Sequence, residues 1–267
     1  MGKSKNIETQ IKYDLYIKAV QSPETDVRFY QDRYHSIRGR SKKNLTLRED
    51  FCGTGIISTE WVKLNKNYSS FGVDLDPEPI KYGQENFLSQ LTSSQKQRIF
   101  LLQKNVLAAD IPTVDIIAAV NFSYFLFKDR VQLKKYYERV FQTLNMNGLA
   151  IFDIFGGTQC TDTITDRYKH KTFTYYWEQK NYDPITQFAD FAIHFKNKNK
   201  MYKNVFTYDW RMWGIAEVSD ILKEVGFKEI KIFWEGTNRK GAGNGIFTET
   251  KKGEPCLSWI AYVVALK

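Results

Sequence analysis

Apolar positions along the chain change their spacing twice, and each change marks a new kind of element. From Ile7 to Val20 they recur at Ile7, Ile11, Leu15 and Ile17, with Tyr13 and Tyr16 among them, which predicts an amphipathic helix. Ser22-Pro23-Glu24 opens a second helix, with proline in its first turn, that is predicted to run to about Arg38. After the polar loop Arg38 to Lys43, short apolar runs alternate with helical stretches. Leu45 to Asp50 reads as a strand, Ile56 to Leu64 as a helix, and Phe71 to Asp74 as a strand. Pro77-Glu78-Pro79 opens a helix through Gln90, and Ile99 to Gln103 is a third strand. Asp115 to Val120 is almost continuously apolar, the pattern of a central parallel strand buried on both faces. A helix from Arg130 to Leu144 stops at Asn147-Gly148, and Leu149 to Phe155 is a fifth strand. Strands and helices alternating in this way predict an α/β fold with a mostly parallel sheet.

The second change comes after Gly157. Lys171 to Glu178, Gln187 to Lys196 and Met201 to Trp210 are rich in aromatic and β-branched residues. Asn181-Tyr182-Asp183-Pro184 and Lys196-Asn197-Lys198-Asn199-Lys200 separate them as turns, so three antiparallel strands are expected. Helical spacing returns from Ile215 to Val225, ended by Gly226, and Phe227 to Trp234 and Leu257 to Leu266 are the last strands. The glycine-rich Gly241-Ala242-Gly243-Asn244-Gly245 between them reads as a loop, and it lacks the Lys-Ser or Lys-Thr of a phosphate-binding P-loop. The expected organisation is an N-terminal helical lid over 1–44, a sheet domain over 45–157 and 212–267, and a cap over 158–211.

Composition alters this picture little. The 267 residues are 42% hydrophobic and 26% charged, as globular chains are. No apolar run reaches the roughly 18 residues of a membrane span, and Met1 to Gln10 is polar and lysine-bearing, unlike a secretory signal. Cys52, Cys160 and Cys256 are far apart and odd in number, which suits a reduced, cytoplasmic setting. His35, His170 and His194 are scattered too, so no metal site is expected. A net charge of +9 leaves nucleic acid open as a partner, although abundant lysine on solvated faces explains it more simply.

The chemistry concentrates where the first strand runs into Cys52-Gly53-Thr54-Gly55. Glycine lets a ligand approach the backbone, the following helix aims free N–H groups at it, and Asp74 ends the next strand, where an acid takes both hydroxyls of a ribose. A dinucleotide fingerprint needs a further glycine or alanine where this chain has Ser58. The run Glu49-x-x-Cys52-Gly53-Thr54-Gly55 instead resembles motif I of the class I S-adenosylmethionine (SAM) dependent methyltransferases, and Gly72-Val73-Asp74-Leu75-Asp76-Pro77 is similar to their acidic second motif. The pattern departs from the family at Phe51, where another glycine is usual.

The resemblance covers about Thr46 to Lys267 and implies a Rossmann-like seven-stranded sheet, its last strand antiparallel, with helices on both faces and an inserted antiparallel β cap. It implies SAM as cofactor, with Glu49 at the methionine end, Cys52, Gly53, Thr54 and Gly55 along it, and Asp74 and Leu75 at the ribose. Asn105, with Val106, stands where an acid usually receives the adenine amino group, and an amide oxygen accepts as well. Asn121 and Phe122 take the place of the fourth motif, beside the methyl group. The segment Asn121-Phe122-Ser123-Tyr124 lacks both prolines of the Asn-Pro-Pro-Tyr motif of amino methyltransferases acting on nucleobases and glutamine.

The acceptor side is less defined. Asp153 and Tyr124 are candidate bases at strand ends. Tyr13 and Tyr16 are candidates in the lid, Trp177 in the cap, and Arg211 among aromatics is a candidate grip for an anion. The expected function is methyl transfer to a small-molecule acceptor at nitrogen or oxygen. RNA or protein methylation, and a SAM-binding subunit without chemistry of its own, stand as alternatives, and oligomeric state is not legible.

Overall fold

The computed structural model describes residues 7–239 and 241–267. Two helices, α1 (Thr9–Val20) and α2 (Pro23–Arg38), precede β1 (Thr46–Asp50), α3 (Ile56–Leu64), β2 (Ser69–Asp74), α4 (Pro77–Asn86), α5 (Ser93–Lys96), β3 (Ile99–Gln103), β4 (Val114–Ala119), α6 (Arg130–Gln142) and β5 (Leu144–Gly156). Four strands follow: β6 (Ile164–Lys169), β7 (Phe173–Tyr182), β8 (Phe188–Asn197) and β9 (Lys200–Arg211). The chain closes with α7 (Ile215–Val225), β10 (Glu229–Thr237), β11 (Gly243–Thr250) and β12 (Trp259–Leu266).

The main sheet has eight strands in the order β11-β10-β12-β5-β4-β1-β2-β3. Strands β5, β4, β1, β2 and β3 pair in parallel, and β12 enters antiparallel between β5 and β10. The expected seven strands gain β11, a strand where the glycine-rich loop was expected. It pairs antiparallel with β10 at the outer edge of the sheet, almost wholly exposed. The insert likewise has four strands, not three, in the order β6-β7-β8-β9. Asn147-Gly148 is no helix stop either: it lies within β5, where Asn147 takes a left-handed conformation (φ 65°).

The sheet is covered on both faces. Val27, Tyr30 and Tyr34 of α2 and Ile57 and Trp61 of α3 pack with Leu47, Ile116, Ile151 and Val264 on one face. Leu133, Tyr136 and Val140 of α6 and Val218, Ile221 and Leu222 of α7 pack with Ile117, Ala150, Phe152 and Val263 on the other. Central β1 carries Arg48, Glu49 and Asp50, all buried, and buried charge is costly unless paired. Alternation along the strand separates them. Arg48 and Asp50 share one face and form a bidentate pair (2.7 and 3.1 Å), with Thr143 and Tyr136 closing the network. Glu49 faces the other way, toward α3.

Helix α1 joins the antiparallel sheet to α4. Leu15 packs with Phe173, Ile193, Phe195, Tyr202 and Val205 of the antiparallel sheet. On its other side, Lys12 and Tyr13 both bond to Glu78 of α4 (2.7 and 2.9 Å).

Candidate active site

The turn after β1 is built by backbone conformation. Phe51, Gly53 and Gly55 have φ of 59°, 52° and 67°, a region that L side chains enter at a cost of about 1–2 kcal/mol. Phe51 tolerates it because its ring packs on Tyr136 and Phe127, at 5.6 and 6.1 Å between centroids. A Cβ on Gly53 would meet nothing within 4 Å, so the backbone there is open to a ligand. Behind the turn, Gly83 of α4 lies so close to Thr54 that a Cβ would stand 1.8 Å from its carbonyl oxygen. Asp74, half-buried at the end of β2, accepts from Gly53 N–H (2.7 Å) and from Asp76 N–H (2.9 Å). It therefore ties the glycine turn to the second motif. Leu75 beside it is exposed. Cys52 is buried, and burial pushes its thiol well up.

Glu49 accepts from both the N–H and the hydroxyl of Ser58 (3.0 and 2.7 Å), which fastens the first turn of α3 to β1. The residue that breaks the dinucleotide pattern is thus a partner of the acid. Asn105 is exposed, and its side-chain oxygen accepts from Leu107 N–H (2.9 Å), closing its own turn. That oxygen keeps a second lone pair for another donor. Val106 is buried in the core.

At the end of β4, Asn121 and Phe122 are both left-handed (φ 57° and 56°). Asp153 on neighbouring β5 explains how they stay there. Its two oxygens accept from Asn121 N–H (2.6 Å) and Phe122 N–H (2.9 Å). Asp153 thus holds the loop that faces the site. Tyr124 does not reach it: the residue is fully buried among Phe125, Tyr137 and Phe152. Its place as a base is corrected by the short helical turn Ser123–Leu126, which folds the side chain inward.

A cavity of about 870 Å³ lies between the carboxyl edge of the main sheet and the antiparallel sheet. Asn121, Phe122, Asp153 and Tyr262 line it from the main sheet, Tyr16 and Asp26 from α1 and α2, and Tyr175, Trp177, Tyr208 and Trp210 from the cap strands. Trp177 stacks on Phe191 at 5.0 Å, and the Tyr16 hydroxyl, pushed up to about 12 by burial, meets that of Tyr208. Two expected acceptor residues stand elsewhere. Arg211 pairs with Glu217 (3.0 Å), donates to the Lys128 carbonyl and stacks on Trp213 at 3.9 Å, so it fastens β9 to α7 outside the cavity. Tyr13 is buried against Tyr82 and Phe206 and bonded to Glu78, so it latches α1 down.

Carboxyl groups crowd this edge of the sheet, Asp26 and Asp153 in the cavity wall and Glu49 and Asp74 outside it. Burial raises Glu49 to about 8, Asp153 to about 8 and Asp26 to about 6, and it raises Asp74 as well. Neighbouring acids add to the effect at Glu49 and Asp153. Such a set favours a cation. SAM carries a sulfonium and an ammonium, with a ribose for Asp74 and an open backbone at Gly53, so these residues fit it. Asp26 and Tyr262 carried no signal in the sequence, because only the folded sheet brings β12 and α2 to this edge. Among the described residues, no group of three His, Cys, Asp or Glu is placed to hold a metal, and no helix is long and apolar enough to cross a membrane.

No protein-family model matches the chain, and no curated protein matches it by sequence. Solved structures do match over nearly the full length. A SAM-dependent methyltransferase from Clostridium acetobutylicum is 19% identical, covers 94% of this chain and 95% of its own, and superposes with a TM-score of 0.63. A SAM-bound amino pentose methyltransferase from Micromonospora echinaspora, of calicheamicin biosynthesis, is 11% identical, with 98% of each chain covered and a TM-score of 0.65. A sugar N-methyltransferase from Streptoalloteichus is 14% identical, covers 100% and 95%, and scores 0.63. The chain has the class I SAM-dependent methyltransferase fold.

Proposed function

We propose that the protein transfers a methyl group from SAM to a small-molecule acceptor, at nitrogen or oxygen, within the chamber beneath the 158–211 cap. One observation carries this reading: the aromatic chamber opens onto Asn121, Phe122 and Asp153, on the same sheet edge as the glycine turn and Asp74. When bound, SAM supplies an activated methyl on its sulfonium, so the protein has chiefly to align the reactants and keep water out. Asp74 and Gly53 would receive the ribose and adjoining backbone, Glu49 the methionine end, and Asn105 and Val106 the adenine. Asp153 sets the Asn121-Phe122 loop at the transfer point, and its carboxyl group is also the nearest candidate to receive a proton there. Trp177 and its neighbours close the acceptor off from solvent. The structural neighbours include an amino pentose and a sugar N-methyltransferase, which favours a small acceptor.

Methyl-labelled SAM, offered in single turnover with a metabolite extract, an RNA pool or a protein pool, tests the reading. Label is expected in the metabolite fraction, before and after exhaustive chelation of divalent metal. Trp177→Ala should cut turnover or raise the acceptor KM while SAM affinity moves by less than about threefold, or about 0.6 kcal/mol. Label in RNA, with affinity falling steeply as salt rises, would replace this reading with an RNA methyltransferase. SAM binding without transfer to any pool would leave a binding subunit.

A further inference from the structure

We infer that the acceptor presents a cationic amino group and that Asp26 is the residue that docks it. This rests on the methyl-transfer reading and narrows it from nitrogen or oxygen to an amine that docks as its ammonium. The nitrogen gives a proton to the Asp26 carboxylate, and its freed lone pair then forms the C–N bond as the methyl–sulfur bond of SAM breaks and S-adenosylhomocysteine leaves.

The charge balance of the chamber is the first argument. Away from this edge of the sheet, several buried or half-buried acids have cationic partners: Asp50 has Arg48, Asp115 has Lys42, Glu217 has Arg211. Among the described residues, Asp26 has no ion pair, although it is half-buried in the chamber wall. Its Oδ1 accepts from the Tyr262 hydroxyl (3.0 Å), which fixes the carboxylate without neutralising it. The first turn of α2, where Asp26 sits, further favours the anionic form through the helix dipole. Glu235 lines the same cavity and adds negative potential. A buried carboxylate left this way is costly unless a cation arrives.

Position is the second argument. Tyr262 is the cross-strand partner of Asp153, so Asp26 is anchored beside Asp153 in the chamber wall, which neither Glu49 nor Asp74 lines. The acids suited to the cofactor, Glu49 and Asp74, belong to β1 and β2 and stand outside that wall. Asp26 is thus placed for the second reactant. The rings of Tyr16, Trp177 and Tyr208 line the space around it, and aromatic faces hold ammonium groups well. With its pKa at about 6, Asp26 is the one of the three most raised acids that keeps its charge at neutral pH.

Binding can be measured without turnover. S-adenosylhomocysteine is added to occupy the cofactor site, and cyclohexylamine and cyclohexanol, alike in shape and unlike in charge, are titrated by ligand-observed NMR. The wild type should prefer the amine by about tenfold or more, the effect of one hydrogen bond to a charged group. Asp26→Asn should reduce that preference to within about threefold, with S-adenosylhomocysteine affinity and thermal unfolding little changed. Tyr262→Phe keeps the charge and should retain most of the preference, which guards against a folding defect in the first variant. Equal binding of the two probes, binding of neither, or an Asp26→Asn that keeps its preference would overturn the inference. A parallel loss of S-adenosylhomocysteine would reassign Asp26 to the cofactor and overturn it too. Failure of the wild type to bind S-adenosylhomocysteine would instead overturn the methyl-transfer reading on which the inference stands.

Discussion

Phe51 occupies a backbone conformation usually left to glycine, and the site's first motif is shaped around that exception. Its ring adds contacts to the core, and its φ of 59° subtracts from them. The two effects separate by substitution. Phe51→Ala removes the ring and keeps the strain, whereas Phe51→Gly removes both. Glycine should therefore be the more stable variant by about 1 kcal/mol, reversing the usual order, in urea unfolding. Alanine equal to or above glycine would show that the turn carries no strain. Asp74 is the second residue with a separable role. Asp74→Ala should weaken SAM about 10- to 150-fold, as loss of bonds to a charged group implies, while circular dichroism stays native. Unchanged SAM affinity in calorimetry would mean the nucleoside lies elsewhere.

Among elements, α1 is held from two sides, by the antiparallel sheet and by α4. Tyr13→Phe removes a hydrogen bond to ionised Glu78, and such bonds contribute about 1.5–3 kcal/mol. Hydrogen exchange across α1 should accelerate by about tenfold or more, with β4 and β5 unaffected; an unchanged rate would show that Leu15 packing alone holds the helix. Elements with a buried face were legible from the sequence. Helices α2 and α3 fall on their predicted residues, and β4 sits in the middle of the sheet as its apolar run implied. Apart from the one-turn helix α5, the missed elements are edge strands: β6, with Arg167 and Lys169 exposed, and β11, with Gly243 and Gly245. An edge strand needs hydrogen-bonding neighbours more than apolar alternation, so composition does not announce it. The site divides the same way. Residues next to one another in sequence, from Glu49 to Gly55, formed a readable motif. Asp26 and Tyr262, 236 positions apart, are joined only by the completed sheet. Arg211 was misread because its aromatic surroundings are the same whether a strand end faces a cavity or a helix.

For the whole molecule, the clustered acids link folding to ligand binding. Burial holds Glu49 and Asp153 near 8, against ordinary values near 4. Between about pH 4 and pH 8 the folded chain keeps protons that the unfolded chain has lost, so this term lowers stability as pH rises. A bound cation favours the ionised acids and reverses the effect. Melting temperature without ligand should therefore fall from about pH 5 to about pH 8 more steeply in the wild type than in Glu49→Gln, and the shift produced by SAM should grow over the same range. Parallel melting profiles would remove the acids from the account. The α1 latch has a further consequence at this scale, for synthesis on the ribosome. Helix α1 emerges early, yet Glu78 and Tyr82 follow some time later and Phe206 later still. Sheet strands β1 to β4 are free to assemble while α1 still lacks half its docking surface, and contacts so distant in sequence form slowly. The chamber, walled by α1, the cap strands and β12, can therefore close only once Phe206 and Tyr262 have both been made.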